Sequence, residues 1–363
     1  MHTFELSCSI TDTAYSYLAE NLSSLSQPSK HIKRTNYYSK KGIDQIELRK
    51  FRKETNGMVL WESYYLVIRC NPSIILGESK VFLLDLDNYT VDILINGIKK
   101  RLYEINEFRY IGLHNLSIDK FHLRRFDVAK DIFVDDPEII VWICNMSFPY
   151  GHCNMRRKLI DKETEILYRE SCYFLSKSRT FNLYYKKAEL INNGKKFLPN
   201  EEARINKTVR IEVQIKKSGV TYLSGKLHTK KSVVPFLRKD FRDNYLEKEI
   251  YSLFRIEKYV SRSKAEEIIN SSNFNTNTKM VMLSIIDMIQ SLGGLYELEK
   301  AISDPNIPTP LYYGNLRTFR ERWLKKIRSL GIQPIVIPNI FGIDEIPSIY
   351  DLLTNNEGVF LYE

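Results

Sequence analysis

Thr208-Val209-Arg210-Ile211-Glu212-Val213-Gln214-Ile215-Lys216 is the stretch that decides the fold. Val209, Ile211, Val213 and Ile215 alternate with Arg210, Glu212 and Gln214, a period of two that predicts a β-strand. One face is plain core; the other carries a guanidinium, a carboxylate and an amide, which need water or partners. Upstream, Arg125-Phe126-Asp127-Val128-Ala129-Lys130-Asp131 alternates in the same way. Phe126 and Val128 point one way, and Asp127, Ala129 and Asp131 the other. In Arg179-Thr180-Phe181-Asn182-Leu183-Tyr184-Tyr185-Lys186, the spacing puts Phe181, Leu183 and Tyr185 on an apolar face. Asn182, Tyr184 and Lys186 fall on the opposite face, which predicts Tyr184 as the presented tyrosine.

Further strands are expected at Phe4 to Ile10 and through an extended region from Gln45 to Ile95, broken by turns at Glu54-Thr55-Asn56-Gly57 and Asn71-Pro72. Within that region Val81 to Leu86 reads as a strand, and Val91 to Ile95 either as a strand or as the start of a helix reaching Glu107. Val67 to Gly77 reads as a strand running through the Asn-Pro turn into a short apolar cap. Ala14 to Leu25 has helical character. Beyond about Val234 the texture becomes helical: Phe236 to Phe254, Arg262 to Ser271, Thr278 to Leu292, Leu295 to Ser303 and Leu316 to Leu330. The expectation is an α+β protein in which a domain on a central antiparallel sheet (1–235) precedes a basic helical domain (236–363).

Composition narrows the function classes. The 363 residues are 43% hydrophobic and 27% charged, enough apolar material for a real core and unlike a disordered chain. Lys plus Arg number 54 against 44 Asp plus Glu, and the resulting +10 favours an anionic partner, nucleic acid before membrane. The 23 Tyr and 18 Phe offer flat faces on which bases stack, although most aromatics in any chain are core. Five cysteines without a CxxC pair fit a reducing cytoplasm. No apolar run approaches the length of a membrane span, and the first twenty-one residues lack the apolar stretch of a signal peptide.

Three sets of residues carry chemistry. Asp127 and Asp131, with the small Ala129 between them, are placed to hold a divalent cation, and Glu212 is a third carboxylate for it. The plain alternative is a strand whose acids pair with Arg124 or Arg125. Arg210 suits a phosphate. Tyr184 beside Lys186 is a phenol next to an ammonium, and a neighbouring cation favours the nucleophilic phenolate.

Taken in chain order, Val67 to Gly77, Arg125-Phe126-Asp127, Arg179-Thr180 through Tyr184, Lys186, Glu189 and Leu190, and Val209-Arg210-Ile211-Glu212 to Ile215-Lys216 resemble the rolling-circle replication initiators of filamentous phages, the II/X family of phage and plasmid replication proteins. The resemblance covers roughly Val67 to Lys216. It implies site-specific nicking of one origin strand by a tyrosine, a covalent 5′-phosphotyrosine, a free 3′ hydroxyl and later strand joining. It places the nucleophile at Tyr184, with Lys186 stabilising charge. Mg²⁺ or Mn²⁺ is expected at Asp127, Glu212 and Asp131, and phosphate contacts at Arg125, Arg210 and Lys216. The expected partners are single-stranded and supercoiled origin DNA and the host helicase and DNA polymerase, in a bacterial cytoplasm and away from membranes.

This chain departs from related patterns in two ways. No His-hydrophobic-His pair exists among its six histidines, and Leu76-Gly77-Glu78-Ser79-Lys80-Val81-Phe82 stands where coliphage proteins have a histidine-bearing loop. In the helical third, Phe319, Trp323, Leu324 and Ile327 make a buried stripe flanked by Arg317, Arg320 and Lys325. That helix is expected either to contact duplex DNA or simply to pack on its neighbours. Lys30 to Arg34 with Lys40-Lys41, and Lys226 to Lys231, are basic runs able to line a strand channel. The rival functions are a conjugative relaxase, a non-catalytic DNA-binding regulator with structural acids, and a phosphodiesterase using metal-activated water.

Overall fold

The computed structural model describes residues 3–55, 58–78, 81–84, 90–152, 155–157, 171–195, 197–229, 232–310 and 313–355. Thirteen strands fall within them: β1 (Phe4–Ile10), β2 (Ser26–Ser29), β3 (Ile32–Thr35), β4 (Ile43–Thr55), β5 (Met58–Cys70), β6 (His122–Phe133), β7 (Arg156–Arg157), β8 (Ser171–Leu175), β9 (Arg179–Tyr185), β10 (Thr208–Ile215), β11 (Lys258–Ser261), β12 (Ile332–Ile337) and β13 (Glu345–Ile346). The fold is α+β, and its large sheet is antiparallel.

The chain divides into two compact units, each assembled from separated segments, and the cuts pass through β6, β9, β10 and the helix Lys239–Phe254. The first unit comprises Met1–Ala129, Lys177–Arg179 and Glu212–Asn244. Its strands lie in the order β2-β3-β4-β5-β1-β6-β10. The β4–β5 hairpin is long: Ile46 pairs with Ile68 near its base and Thr55 with Met58 at its end. At the base Ile46, Leu48, Leu66 and Ile68 are buried, because a third and fourth strand pack beside them. Towards the tip Phe51, Met58, Val59, Leu60 and Trp61 are exposed. After β5, Asn71 accepts a hydrogen bond from the Ile74 amide and caps the helix Pro72–Ile75, the expected Asn-Pro turn. Of the strand expected from Val81, residues 81–84 are not extended into a sheet, and the rest lies outside the described residues. Val91–Tyr103 is a helix, capped by Thr90.

The second unit comprises Lys130–Ser176, Thr180–Ile211 and Tyr245–Glu363, with strand order β6-β10-β9-β8-β7. The helices Lys239–Phe254, Arg262–Ser271, Thr276–Ser291 and Leu295–Ser303 agree with the helical spacing of the sequence. A second, three-stranded sheet accompanies them, with β11 parallel to β12 and antiparallel to β13. The C-terminal third is therefore not purely helical. Pro334 is tolerated in β12 because β12 is an edge strand.

No single helix among the described residues is long and apolar enough to cross a membrane. Cys8, Cys70, Cys144 and Cys172 are buried free thiols, and burial pushes Cys8 up to about 12. Cys153 lies outside the described residues.

Candidate functional site

In the first unit the acid on β6 is sealed. Asp127 is 0% exposed. Arg125 Nε donates to Oδ1 at 2.8 Å and Nη2 to Oδ2 at 2.6 Å, while Thr3 Oγ1 also donates to Oδ2. Glu5 on β1 sits 3.8 Å from Arg125 and is held in turn by Arg69, whose Nε donates at 2.9 Å. The Gln214 amide oxygen, in the orientation that satisfies both partners, accepts from Arg125 Nε at 3.1 Å. Burial disfavours the Arg125 charge, but Asp127, Glu5 and Glu212 outweigh it and raise its pKa. Glu212 is buried as well, and burial together with Arg125 lowers the Lys216 ammonium. The expected pairing of Asp127 with Arg125 is present.

In the second unit β9 and β10 carry the other cluster. Arg210 is 1% exposed and forks onto Asp131, Nε to Oδ1 at 2.6 Å and Nη2 to Oδ2 at 2.9 Å. The polar face of β10 is thus not solvated; its charges are buried and paired. Tyr184 lies opposite Ser171 on β8 and is only 7% exposed, whereas Tyr185 is half-buried. The alternation expected Tyr184 on the open side. It fails because both faces of β9 are covered, so period two no longer separates core from surface.

Lys186 also departs from the strand pattern. β9 ends at Tyr185, and Lys186 opens the helix Lys186–Asn192. Its ammonium still stands 5.9 Å from the Tyr184 ring centroid, within cation–π range, and donates to Glu189 Oε2 at 2.7 Å. Burial and Arg210 lower the Lys186 pKa against the pull of Glu189. Burial would raise the Glu189 carboxyl, but Lys186 and Lys195 overcome it and hold it at about 2. Glu189 appeared in the sequence motif without a role. Its helical i,i+3 spacing from Lys186 was the available signal.

As paired, Asp127 and Asp131 leave no free carboxylate for a cation. Both oxygens of Asp127 and both of Asp131 accept from guanidinium groups, and no group of three His, Cys, Asp or Glu able to hold a metal ion occurs among the described residues. An ion would have to displace arginine at Asp127 and at Asp131.

The basic helix resolves into different parts. Phe319, Trp323, Leu324 and Ile327 are buried as expected, and the segment Phe319–Leu324 is wound as a π-helix. Arg320 is held by Glu299 at 2.7 Å and by the Tyr150 carbonyl at 2.5 Å, with Glu299 itself 1% exposed, so its charge serves packing. Arg317 and Lys325 are exposed, Arg317 in a surface pair with Glu321 at 3.0 Å. Of the basic runs, Arg34 pairs with Glu47 and Lys41 donates to the Glu104 carbonyl, while Lys230 and Lys231 lie outside the described residues. His122 is exposed, and so is Glu78; Lys80 is not described. Neither a family model nor a curated protein matches the chain.

Proposed function

We propose that this protein initiates rolling-circle DNA replication, nicking one strand of an origin through Tyr184 and later joining strands, in the cytoplasm of a bacterial host. The observation that carries the proposal is the Lys186 ammonium held beside the Tyr184 ring by Glu189. A buried cation next to a phenol lowers the cost of the phenolate. In the proposed step the Tyr184 oxygen bonds to phosphorus as the P–O3′ bond breaks. The departing 3′ oxygen takes up a proton and becomes the primer hydroxyl. The phosphotyrosine keeps the energy of the broken linkage, so a 3′ hydroxyl can reverse the attack without ATP. Lys186 supplies positive charge where the phosphate gains negative charge. No step is assigned to Mg²⁺ or Mn²⁺, since two of the acids expected to hold it, Asp127 and Asp131, are paired with arginine. Supercoiled origin DNA is the proposed substrate, with the host helicase and polymerase acting after the nick.

The test is incubation with supercoiled origin DNA followed by mass mapping of the residue left joined to the strand. Tyr184→Phe should lose nicking and attachment while keeping DNA binding. Attachment at the more open Tyr185 would relocate the nucleophile; no attachment at all would leave a non-catalytic DNA-binding regulator. That second reading is favoured by one observation, the full pairing of Asp127 and Asp131 with arginines.

A further inference from the structure

Away from these clusters, the first unit contains a groove of about 860 Å³. It is lined by Phe51 and Trp61 of the β4–β5 hairpin, by Ser7 and Arg124, and by residues of the helix Lys217–Lys226. Four features are unusual together. Trp61 is 51% and Phe51 45% exposed, an arrangement that leaves large apolar faces in water. Phe51 is braced edge-on by Tyr65 at 5.7 Å. Two hydroxyls in the lining, Ser224 Oγ and Thr229 Oγ1, are buried without a hydrogen-bond partner, and Ser224 is 2% exposed. Such orphans are costly unless something satisfies them.

The fourth feature is Arg124. Glu5 pairs with Arg125 and Leu6 with Leu123, so Arg124 is the extra residue of a β-bulge that turns its side chain out of register. Among the described residues it makes no hydrogen bond and no ion pair within 4 Å, and burial and Arg49 lower its pKa against the weaker pull of Glu5 and Glu47. A half-buried guanidinium that no carboxylate grips directly keeps its donors available to an anion. Lys217 adds a second cation to the same lining.

We propose that this groove binds single-stranded DNA, stacking bases on Trp61 and Phe51 and holding the backbone phosphates on Arg124 and Lys217. Aromatic platforms alternating with cations are what sequence-tolerant single-strand binding requires, because every base has a π-face and every linkage a charge. The proposal rests on the DNA reading above and deepens it by assigning where the unpaired strand lies.

The test is fluorescence anisotropy of a fluorescein-labelled oligothymidylate titrated with the full chain, in parallel with the same backbone lacking bases. Trp61→Ala and Arg124→Ala should each weaken oligothymidylate binding at least about 5-fold. Trp61→Ala should leave the abasic strand unaffected, Arg124→Ala should weaken both, and Trp61→Phe should retain most affinity. Both side chains are partly solvent-facing, so thermal melting confirms that the variants remain folded. Unchanged affinity in folded Trp61→Ala and Arg124→Ala, or no binding by the wild type, overturns the groove. Nicking is scored separately by covalent attachment. Intact attachment with unaffected groove variants sinks this proposal alone, and normal groove effects without attachment sink the catalytic one alone.

Discussion

Arg210 meets Asp131 fork to carboxylate, with parallel hydrogen bonds of 2.6 and 2.9 Å and almost no solvent on the guanidinium. Bidentate geometry of this kind is the strongest form of charge-assisted hydrogen bond, yet burial makes the pair only as good as its completeness. Removing one member leaves a desolvated charge alone. Arg210→Met should therefore cost about 3–5 kcal/mol in urea unfolding, and adding Asp131→Leu should recover most of that loss. If the double variant is no more stable than the single one, something other than the stranded carboxylate sets the penalty.

The same logic bears on metal. Asp127 gives both oxygens to Arg125, and Glu212 lies near enough to raise the Arg125 pKa. Arginine therefore occupies the place a cation would take. Titration of the free protein with Mn²⁺, read by electron paramagnetic resonance, should give no site tighter than roughly 10⁻³ M. Arg125→Met should create one, because it leaves Asp127 and Glu212 without that shared cation. Micromolar binding by the wild type would mean that the arginine pairs open readily and would restore the three-carboxylate ion site.

Glu189 offers a pH signature. Its folded pKa, about 2, lies below the ordinary glutamate value of 4.5, so the group stabilises the fold fully above pH 4.5. That contribution is lost as pH falls from 4.5 towards 2. The carboxylate is partly exposed and its partner Lys195 is largely in water, so solvent screening reduces the effect to on the order of 1–2 kcal/mol. Glu189→Gln should be less stable than wild type near neutrality, and the two unfolding curves should converge towards pH 2. A gap that stays constant down to that pH would remove the charge interaction as its cause.

The alternating strands β6, β9 and β10 were legible because period two survives even where both faces are buried. What period two could not report is which face meets water. Arg210 and Glu212 needed water or partners; both are interior, and Arg210 is neutralised by a partner distant in sequence, Asp131, seventy-nine residues away. The strand end at Tyr185 was legible, but Lys186 was counted in its alternation of faces, because nothing in Tyr185-Lys186-Lys187 marks the switch to helix by a side-chain cap. β12, Ile-Gln-Pro-Ile-Val-Ile, is buried along its whole length and lacks the alternation that would have separated it from the helices before it. The Arg124 bulge was invisible for another reason: an extra residue is defined by the register of the partner strand, which only the pairing with β1 supplies.

Lys186 is the residue on which the proposed chemistry turns. It is buried, it stands over the Tyr184 ring, and Glu189 fixes its direction. If it stabilises the phenolate, Lys186→Met should slow single-turnover nicking by about 10²–10³-fold, the usual cost of losing one preorganised donor. Oligonucleotide affinity should remain within a few-fold of wild type. The rate should also need higher pH to reach its plateau, since the phenol of the variant ionises later without its cation. Lys186→Arg should keep more of the rate than Lys186→Met, because the positive charge persists even though the fork fits Glu189 differently. A purely structural lysine predicts another pattern: lower melting temperature, proportionate loss of binding and rate, and no displacement of the pH profile. Observing that pattern would separate Tyr184 from its proposed activator and return the pair to the core of the sheet.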